Sequence, residues 1–293
     1  MLNSTKHKET SVKNKIYQVN SQGWIKLVDW MGSDESIEQA ARQSYGDGTR
    51  KTNETRGLLR YLMRHRHTSP FEMAEVCLQV YVPMDVWRQW IRHRTASVNE
   101  YSTRYSISID ESYKTETWRK QSKSNNQGSD GILLDETGYL SGTEAGVHEN
   151  SKLSYQDLIA MGVAREQARK VLTLDTFTIA TWKCNLHNLF HFLKLRLDNH
   201  AQKEIRDYAK TISLIVKELF PLSHEAFEDY VLESSTFSKQ ESEILGKILY
   251  NYDVEKSYAA ELSHPSFTKR ELAEFKQKII NLQERRIDAV LRD

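Results

Sequence analysis

The sequence predicts an α+β fold, a single domain in which a mixed or antiparallel sheet is flanked by helices. Residues 74–82 alternate apolar and polar side chains with a period of two, which is typical of a half-buried strand. Segments such as 54–65 and 203–220 instead place apolar side chains three and four residues apart, which indicates amphipathic helices. No internal repeat and no clear linker interrupts the chain, so one domain accommodates both kinds of element.

The N-terminal region begins with a polar, lysine-rich segment over residues 1 to about 20. We expect a loose arm or an added strand there. Ser33 and Asp34 offer a cap for a first helix, and apolar residues follow it at helical spacing as far as Tyr45. Gly46-Asp47-Gly48 is expected to stop that helix.

A second helix is predicted from Glu54 to His65. Ser69 precedes a proline, so we expect it to be extended. The alternating strand 74–82 follows, and Pro83 ends it and can open a helix.

The predicted helix 84–93 has an apolar stripe and a separate polar face. Gln89, Arg92 and His93 share that polar face at positions i, i+3 and i+4. An amide, a guanidinium and an imidazole are therefore brought to one place. After a turn, alternation over 105–109 predicts a short strand.

The C-terminal half is predicted from weaker patterns. Residues 111 to about 150 are polar and rich in Ser, Gly, Asn and Gln, and so long a loop is usually a lid or a disordered segment. Thr268 and Glu271 form a capping box, with Phe267 and Leu272 as a hydrophobic staple, and they should start the last helix. The other predicted elements are a helix over 154–170, a strand over 176–181, and helices over 186–197 and 203–220.

The composition excludes several functional classes. Lys and Arg number 41 and Asp and Glu number 40, and the net charge of +1 argues against a general nucleic-acid binder. No apolar run approaches the roughly 20 residues of a membrane span, and the N-terminus lacks a signal-type apolar stretch. Two cysteines build no disulfide framework, so we expect a reducing cytoplasm.

The segment Arg92–Tyr105 carries the strongest chemical signal. It reads RHRTASVNEYSTRY and concentrates arginine, histidine and hydroxyl side chains around a turn. Arginine forks bind phosphate oxygens bidentately, so the segment suits an anionic, phosphorylated ligand. A solvated basic turn is the alternative, but such a turn does not need Ser97, Asn99, Glu100 and Ser102 at set spacing.

Two histidines on the predicted helix 186–197 raise a metal hypothesis. His187 and His191 lie at i and i+4, which suits a divalent ion. A zinc-protease helix carries Glu after its first His, and here Asn188 follows, so packing is the commoner role and no metal is predicted. Arg196 at the end of the same apolar helix is costly to bury alone, which favours a ligand partner.

Four segments together resemble the flavin-dependent thymidylate synthases. The Arg92–Tyr105 segment matches that family's RHR-x-x-S-x-N-E-x-S-x-R-Y, and residues 193–205, LKLRLDNHAQKEI, match L-x-L-R-x-D-x-H-A-Q-x-E-I. Residues 67–72 match H-x-S-P-F-E, and residues 168–172 match A-R-x-x-L. The resemblance spans about 24–220.

The resemblance implies a family domain over 1–235 and a helical C-terminal extension over 236–293. The polar segment at about 111–150 would be a lid-like insertion, because a minimal family member lacks it. The implied reaction is reductive methylation of dUMP to dTMP. Methylenetetrahydrofolate would be the carbon donor, and NADPH would be the reductant through bound FAD. A homotetramer with shared active sites is also implied, with small-molecule partners and neither nucleic acid nor membrane.

The resemblance also assigns site residues, with Arg196 as the catalytic group that holds the uracil edge. The implied dUMP contacts are Gln89, Trp90, Ile91, Arg92, Glu100, Tyr101, Ser102, Thr103, Arg104, Arg169 and Arg196. The implied FAD contacts are His67, Ser69, Arg92, His93, Arg94, Glu100, Asn185, Leu186, His187 and His191.

Two alternatives remain from the residues alone. One is a non-catalytic, oligomeric nucleotide- or RNA-binding protein that uses the same basic turn, which the near-zero net charge disfavours. The other is a metal-dependent hydrolase using His187 and His191. Cys77 lies in the middle of the predicted strand 74–82, and Cys184 is placed at the end of another strand. Neither belongs to a motif of the cysteine-dependent thymidylate synthases, so both are expected to be inert.

Overall fold

A computed structural model describes residues 12–43, 54–109, 111–123, 128–249 and 268–290, with the backbone alone over 284–290. Within these residues, five strands form one antiparallel sheet in the order β1-β2-β3-β7-β4, and β5 and β6 form a separate hairpin. The strands are β1 Ile16–Gln18, β2 Trp24–Met31, β3 Glu75–Pro83, β4 Ser97–Glu100, β5 Arg119–Gln121, β6 Ser129–Ile132 and β7 Phe177–Asn185.

Helices pack against this sheet, so the predicted α+β fold with an antiparallel sheet is confirmed. Short 3₁₀ turns cover Ser69–Met73 and Arg169–Val171. The helices of the described residues are α1 Asp34–Arg42, α2 Thr55–Arg64, α3 Met84–Trp90, α4 Tyr139–Ala160, α5 Arg165–Ala168, α6 Leu186–Arg196, α7 Lys203–Leu219, α8 Pro221–Phe227, α9 Lys239–Leu249 and α10 Lys269–Val290.

Strand β3 is the centre of the sheet, and its predicted alternation is confirmed. Val76, Leu78, Val80 and Val82 are almost fully buried on one face, whereas Cys77 and Gln79 on the other face are half-buried. Because β7 pairs with β3 along its whole length, it runs four residues beyond the predicted 176–181. Strand β1 is the added strand that the sequence allowed in the N-terminal arm. Strand β2 was not predicted.

Trp90 anchors the helical layer on the buried face of the sheet. Its ring centroid lies 5.5 Å from that of Trp182 on β7, 5.0 Å from Phe192 on α6 and 5.8 Å from Tyr208 on α7. Large aromatic side chains supply much of the apolar area buried in a core. This cluster therefore fixes the ends of α3 and α6 relative to each other.

The first two helices follow the prediction, but the turn after them does not. Ser33 caps α1, with its side chain accepting from Ser36 N, and α2 covers nearly the predicted span. Gly46-Asp47-Gly48 lies outside the described residues. Ser69 is not extended, because Phe71 N donates to Thr68 O at 3.0 Å and closes a 3₁₀ turn. A proline near the first position of a helical turn has no N–H to lose there, so it is accommodated.

Two predictions between residues 105 and 170 are wrong. The alternation over 105–109 gives no strand, since Tyr105 N and Ser106 N both donate to Ser102 O in a turn. Residues 111–150 are not a structureless loop, because they contain the β5–β6 hairpin and the first half of α4. The predicted helix 154–170 therefore begins earlier, at Tyr139, and ends at Ala160; its polar, glycine-containing first half concealed it.

The chain divides into two compact units, Met1–Leu232 and Glu233–Asp293. In the second unit the predicted capping box is confirmed, with Thr268 N donating to Glu271 Oε2 at 2.8 Å and Glu271 N donating to Thr268 Oγ1 at 3.2 Å. Phe267 of the predicted staple lies outside the described residues. Across the described part of the chain, no helix is long and apolar enough to cross a membrane.

Candidate active site

The end of α6 carries an arginine without a carboxylate partner. Arg196 is half-buried, its Nε donates to His93 Nε2 at 3.1 Å, and its Nη2 donates to the backbone oxygen of Gln89 at 3.3 Å. In the described part of the chain no Asp or Glu lies within ion-pair distance of it. Burial lowers the pKa of Arg196, so the charge is costly where it stands. We call Gln89, His93 and Arg196 the Arg196 patch.

His93 is held in its neutral form. Burial, and then the charges of Arg196 and His191, lower its pKa from 6.5 to about 4. Because Nε2 accepts from Arg196, the ring proton must reside on Nδ1. The imidazole therefore orients Arg196 without competing for an anionic ligand.

A pocket of about 380 Å³ opens beside the Arg196 patch. Two exposed guanidinium groups, those of Arg92 and Arg94, stand on its rim beside the imidazole of His191. This donor set suits the pyrophosphate and ring edges of a flavin dinucleotide. The pocket is lined by Arg92, His93, Arg94, Thr95, Trp182, Asn188, His191, Leu195 and Arg196.

Three other residues assigned to FAD lie at the start of α6 and are not among those that line the pocket. Asn185 is the N-cap of α6, and its Oδ1 accepts from Asn188 N at 2.9 Å, so only its amide nitrogen remains for a ligand. Leu186 is fully buried, which leaves only its backbone for a contact, whereas His187 is half-buried.

His67 and Ser69 are exposed at the 3₁₀ turn and do not line the pocket. That turn packs on α6 through Phe71, whose ring centroid lies 6.3 Å from that of Phe190. Both residues therefore stand on a surface that is fixed to the pocket's helix.

A second group of candidate residues forms around the turn after β4. Arg169 Nη1 donates to Thr103 Oγ1 at 3.2 Å, and Arg165 Nη1 donates to Tyr105 O at 2.7 Å. Ser102 is half-buried and Arg104 is exposed beside them. The sequence-based assignment missed Arg165, although its place four residues before Arg169 could have indicated a shared face. We call Ser102, Thr103, Arg104, Arg165 and Arg169 the Arg169 patch.

Four further residues assigned to dUMP differ in what they can offer a ligand. The side chain of Trp90 is fully buried, so only its backbone can reach a nucleotide. The carboxylate of Glu100 faces the protein, accepting from Trp87 Nε1 at 3.1 Å and from Thr178 Oγ1 at 3.0 Å. Tyr101 N donates to Ile179 O at 2.8 Å, which continues the pairing of β4 with β7. Ile91 is exposed at the end of α3.

The two patches have no direct polar contact with each other in the described part of the chain. Among the described residues no hydrogen bond or ion pair links Gln89, His93 or Arg196 to any member of the Arg169 patch. The Arg196 patch suits a planar ring edge, and the Arg169 patch suits a phosphate.

The metal hypothesis finds no support at His187 and His191. Among the described residues, the group of three side chains able to hold a metal ion is Glu144, His148 and Asp175, which includes neither histidine. His148 Nε2 lies 2.7 Å from Asp175 Oδ2, a contact that attaches α4 to the start of β7.

The cysteines are unsuited to nucleophilic attack. Cys184 is buried and Cys77 is half-buried, and burial raises the pKa of both thiols. A reactive thiolate requires a lowered pKa and access. Neither residue belongs to either patch.

Comparison with known proteins decides the family. A family model described as thymidylate synthase complementing protein matches residues 26–222. A flavin-dependent thymidylate synthase of Thermus thermophilus is 52% identical over 231 residues, covering 79% of this chain and 85% of that protein. The chain belongs to the flavin-dependent thymidylate synthase family. The family prediction is thereby confirmed, and the chain is an enzyme of this class.

Other flavin-dependent thymidylate synthases extend the comparison. Those of Wolbachia pipientis wMel and Dictyostelium discoideum are each 47% identical, covering 81% and 78% of this chain and 85% and 78% of their own lengths. Among solved structures, a UMP/dUMP methylase, PolB, from Streptomyces cacaoi bound with 5-Br UMP superposes with a TM-score of 0.66. It is 35% identical and covers 74% of this chain and 98% of its own.

Proposed function

We propose that this flavin-dependent thymidylate synthase converts dUMP to dTMP, with methylenetetrahydrofolate as carbon donor and NADPH as reductant, through bound FAD. The observation that carries the proposal is the half-buried guanidinium of Arg196, which has no carboxylate partner and is oriented by neutral His93. The name of the family and the nucleotide-bound PolB structure support the substrate class.

Arg196 would act on the uracil ring. Its planar fork can hold two atoms of the uracil edge and stabilise negative charge that develops there. That charge makes C5 of the ring more nucleophilic without a covalent bond to the enzyme. The raised thiol pKa values of Cys77 and Cys184 agree with a route that does not use a cysteine.

The Arg169 patch would bind the phosphate of dUMP. Arg104 and Arg169 supply positive charge there, Arg92 would add a third guanidinium from the pocket beside the Arg196 patch, and Ser102 adds a hydroxyl. The backbone of Tyr101 and Thr103 would contribute N–H donors. Gln89 and Glu100 would position the nucleotide, together with Trp90 and Ile91.

Bound FAD would supply the hydride that reduces the transferred methylene group to methyl. The residues of the chain would hold and orient this cofactor. Arg92 and Arg94 would bind its pyrophosphate, and His93 and His191 would face the pocket. The remaining proposed contacts are His67, Ser69, Glu100, Asn185, Leu186 and His187.

A site shared between subunits, in which each patch is one half-site, would bring the two patches together. We infer that the Arg196 patch of one subunit meets the Arg169 patch of another in a homotetramer. Crowded guanidinium groups repel each other in a cleft of low dielectric, and bound phosphates relieve that repulsion. FAD and dUMP should therefore stabilise the assembled enzyme by mass action.

The test measures flavin content and turnover together. Purified protein should be yellow and should release tritium from dUMP labelled at C5, and omission of methylenetetrahydrofolate or NADPH should remove dTMP formation. A flavin-loaded protein that binds dUMP without turnover would favour the nucleotide-binding alternative. A colourless protein with bound zinc would favour the hydrolase alternative.

A further inference from the structure

The β5–β6 hairpin reaches α7, the helix that follows Arg196 in the chain. The guanidinium of Arg119 on β5 makes two hydrogen bonds to the carboxylate of Glu204, near the start of α7. Nη1 donates to Oε1 at 2.8 Å, and Nη2 donates to Oε2 at 2.9 Å. Only 8% of the Glu204 side chain is exposed. The pair has the bidentate geometry that fixes orientation as well as charge.

Glu204 in turn fixes the amide of Gln202. Gln202 Nε2 donates to Glu204 Oε2 at 2.9 Å. Burial alone would raise the pKa of Glu204, but hydrogen bonds from Arg119 and Gln202 lower it below its usual range. An ionised carboxylate can only accept hydrogen bonds, so the Gln202 amide must turn its nitrogen, and not its oxygen, toward Glu204.

The orientation of Gln202 then fixes that of Gln89. Because the nitrogen of the Gln202 amide is engaged, its Oε1 accepts from Gln89 Nε2. The Nε2 of Gln89 is thus turned inward, and its Oε1 is the part of the amide left to accept from a ligand. The backbone oxygen of the same Gln89 accepts from Arg196 Nη2 at 3.3 Å, so the chain of contacts ends in the Arg196 patch.

We propose that Arg119 is a positioning residue for dUMP, acting through Glu204 and Gln202 to present the Oε1 of Gln89 as an acceptor. The inference rests on the proposed function, because it takes Gln89 as a contact of the nucleotide. The uracil N3–H and the sugar hydroxyl are the donors that dUMP offers to such an acceptor. A rotated Gln89 would present N–H groups to those donors and lose the contact.

A double-mutant cycle tests whether Arg119 acts through Gln202. The variants are Arg119→Met, Gln202→Met and the two combined, and the measurements are the Kd of dUMP, the KM and kcat for dUMP, and the flavin spectrum. We expect each single change to weaken dUMP binding ~10-fold, with flavin content retained. The combined change should also weaken dUMP binding ~10-fold, because both residues act along the same chain of contacts. Two independent effects would instead weaken it ~100-fold.

A second variant and a control allow a loss of dUMP binding to be distinguished from a loss of folding. Arg119→Met leaves a buried Glu204 without its partner and can destabilise the fold, whereas Gln202→Met keeps that ion pair and tests the same link in folded protein. Lys120→Met is the matched control, because Lys120 is the exposed neighbour of Arg119 on β5 and its loss should leave dUMP affinity unchanged.

The outcomes separate this inference from the proposed function. Unchanged dUMP affinity in folded Gln202→Met, or additive losses in the combined variant, would overturn the positioning role while wild-type enzyme still makes dTMP. Wild-type protein that binds dUMP but makes no dTMP would overturn the proposed reaction and leave the cycle measurable. Wild-type protein that does not bind dUMP would overturn both.

Discussion

Arg196 donates from Nε to Nε2 of His93 across 3.1 Å, so two side chains that can both be cations share one hydrogen bond. The bond exists only while the imidazole is neutral, because a protonated ring has no lone pair to accept. Burial and the neighbouring guanidinium enforce that state by lowering the pKa of His93 to about 4. The contact orients Arg196. Because Nη2 also donates to the backbone oxygen of Gln89, Nη1 and the second N–H of Nη2 are left for a ligand.

The first prediction concerns pH. The unfolded chain protonates this histidine near its ordinary pKa of 6.5, whereas the folded chain does so only near pH 4. The unfolded state therefore binds more protons between these values, and the stability of the wild type should fall as the pH drops from about 6.5 to about 4. His93→Gln keeps an acceptor for Arg196 but does not titrate. The part of the stability loss that comes from residue 93 should therefore be absent in this variant.

Thermal melting of both proteins between pH 8 and pH 4 measures the effect. Carboxylates contribute to both curves, so the informative quantity is the difference in Tm between wild type and His93→Gln. That difference should shift in favour of His93→Gln below pH 6.5. A difference that stays constant over the whole range would contradict a neutral His93.

The second prediction concerns the shape of the cation at position 196. Arg196→Lys should keep the flavin but lose most dTMP synthesis, because an ammonium cannot span two atoms of the uracil edge. Tritium release from labelled dUMP measures the loss, and we expect at least ~100-fold in kcat/KM. Arg88→Lys, at an exposed position of α3, is the matched control. Near-parental activity of Arg196→Lys would contradict its role.

The sequence predicted the elements whose burial pattern is regular. Strand β3 has a strict period of two because one of its faces is covered by helices, and α7 has a strong helical period for the same reason. Helix α4 lies at the surface with Tyr155 as its buried residue, so it left no apolar stripe to detect. The turn at Ser69 and the loop after Ser102 depend on backbone hydrogen bonds, which residue spacing does not encode.

In the candidate site, too, some residues could be predicted from the sequence and others could not. The motifs identified Arg196 and Arg169, because those residues occur at fixed spacing within recognisable segments. Arg119 lies outside every motif and reaches the site through Glu204 and Gln202, across 85 positions of sequence. Such a contact follows from tertiary packing and could not be predicted from one sequence.

The third prediction concerns the thiols. The double change Cys77→Ala with Cys184→Ala should leave turnover largely intact, because neither thiol belongs to a patch and burial raises the pKa of both. Cys184 is buried against the core, so its truncation should cost on the order of 1 kcal/mol of stability. Tritium release and thermal melting measure the two effects. A folded, flavin-loaded double variant without turnover would indicate a cysteine nucleophile.

The fourth prediction concerns the two half-sites. Arg196→Ala should inactivate one patch, and the combined Arg104→Ala and Arg169→Ala should inactivate the other. If each active site takes one patch from each of two subunits, mixed tetramers contain some sites with both patches intact. Random assembly of equal amounts gives about one quarter of such sites, because each patch is intact with a chance of one half.

Co-expression of the two variants with different affinity tags, followed by purification on both tags, isolates the mixed tetramers. We expect them to recover roughly a quarter of wild-type turnover per site, while each variant alone stays inactive. A site contained within one chain cannot be rescued in this way, since every chain in the mixture carries one damaged patch. Mixed tetramers that load flavin but remain inactive would therefore place both patches in a single subunit's site.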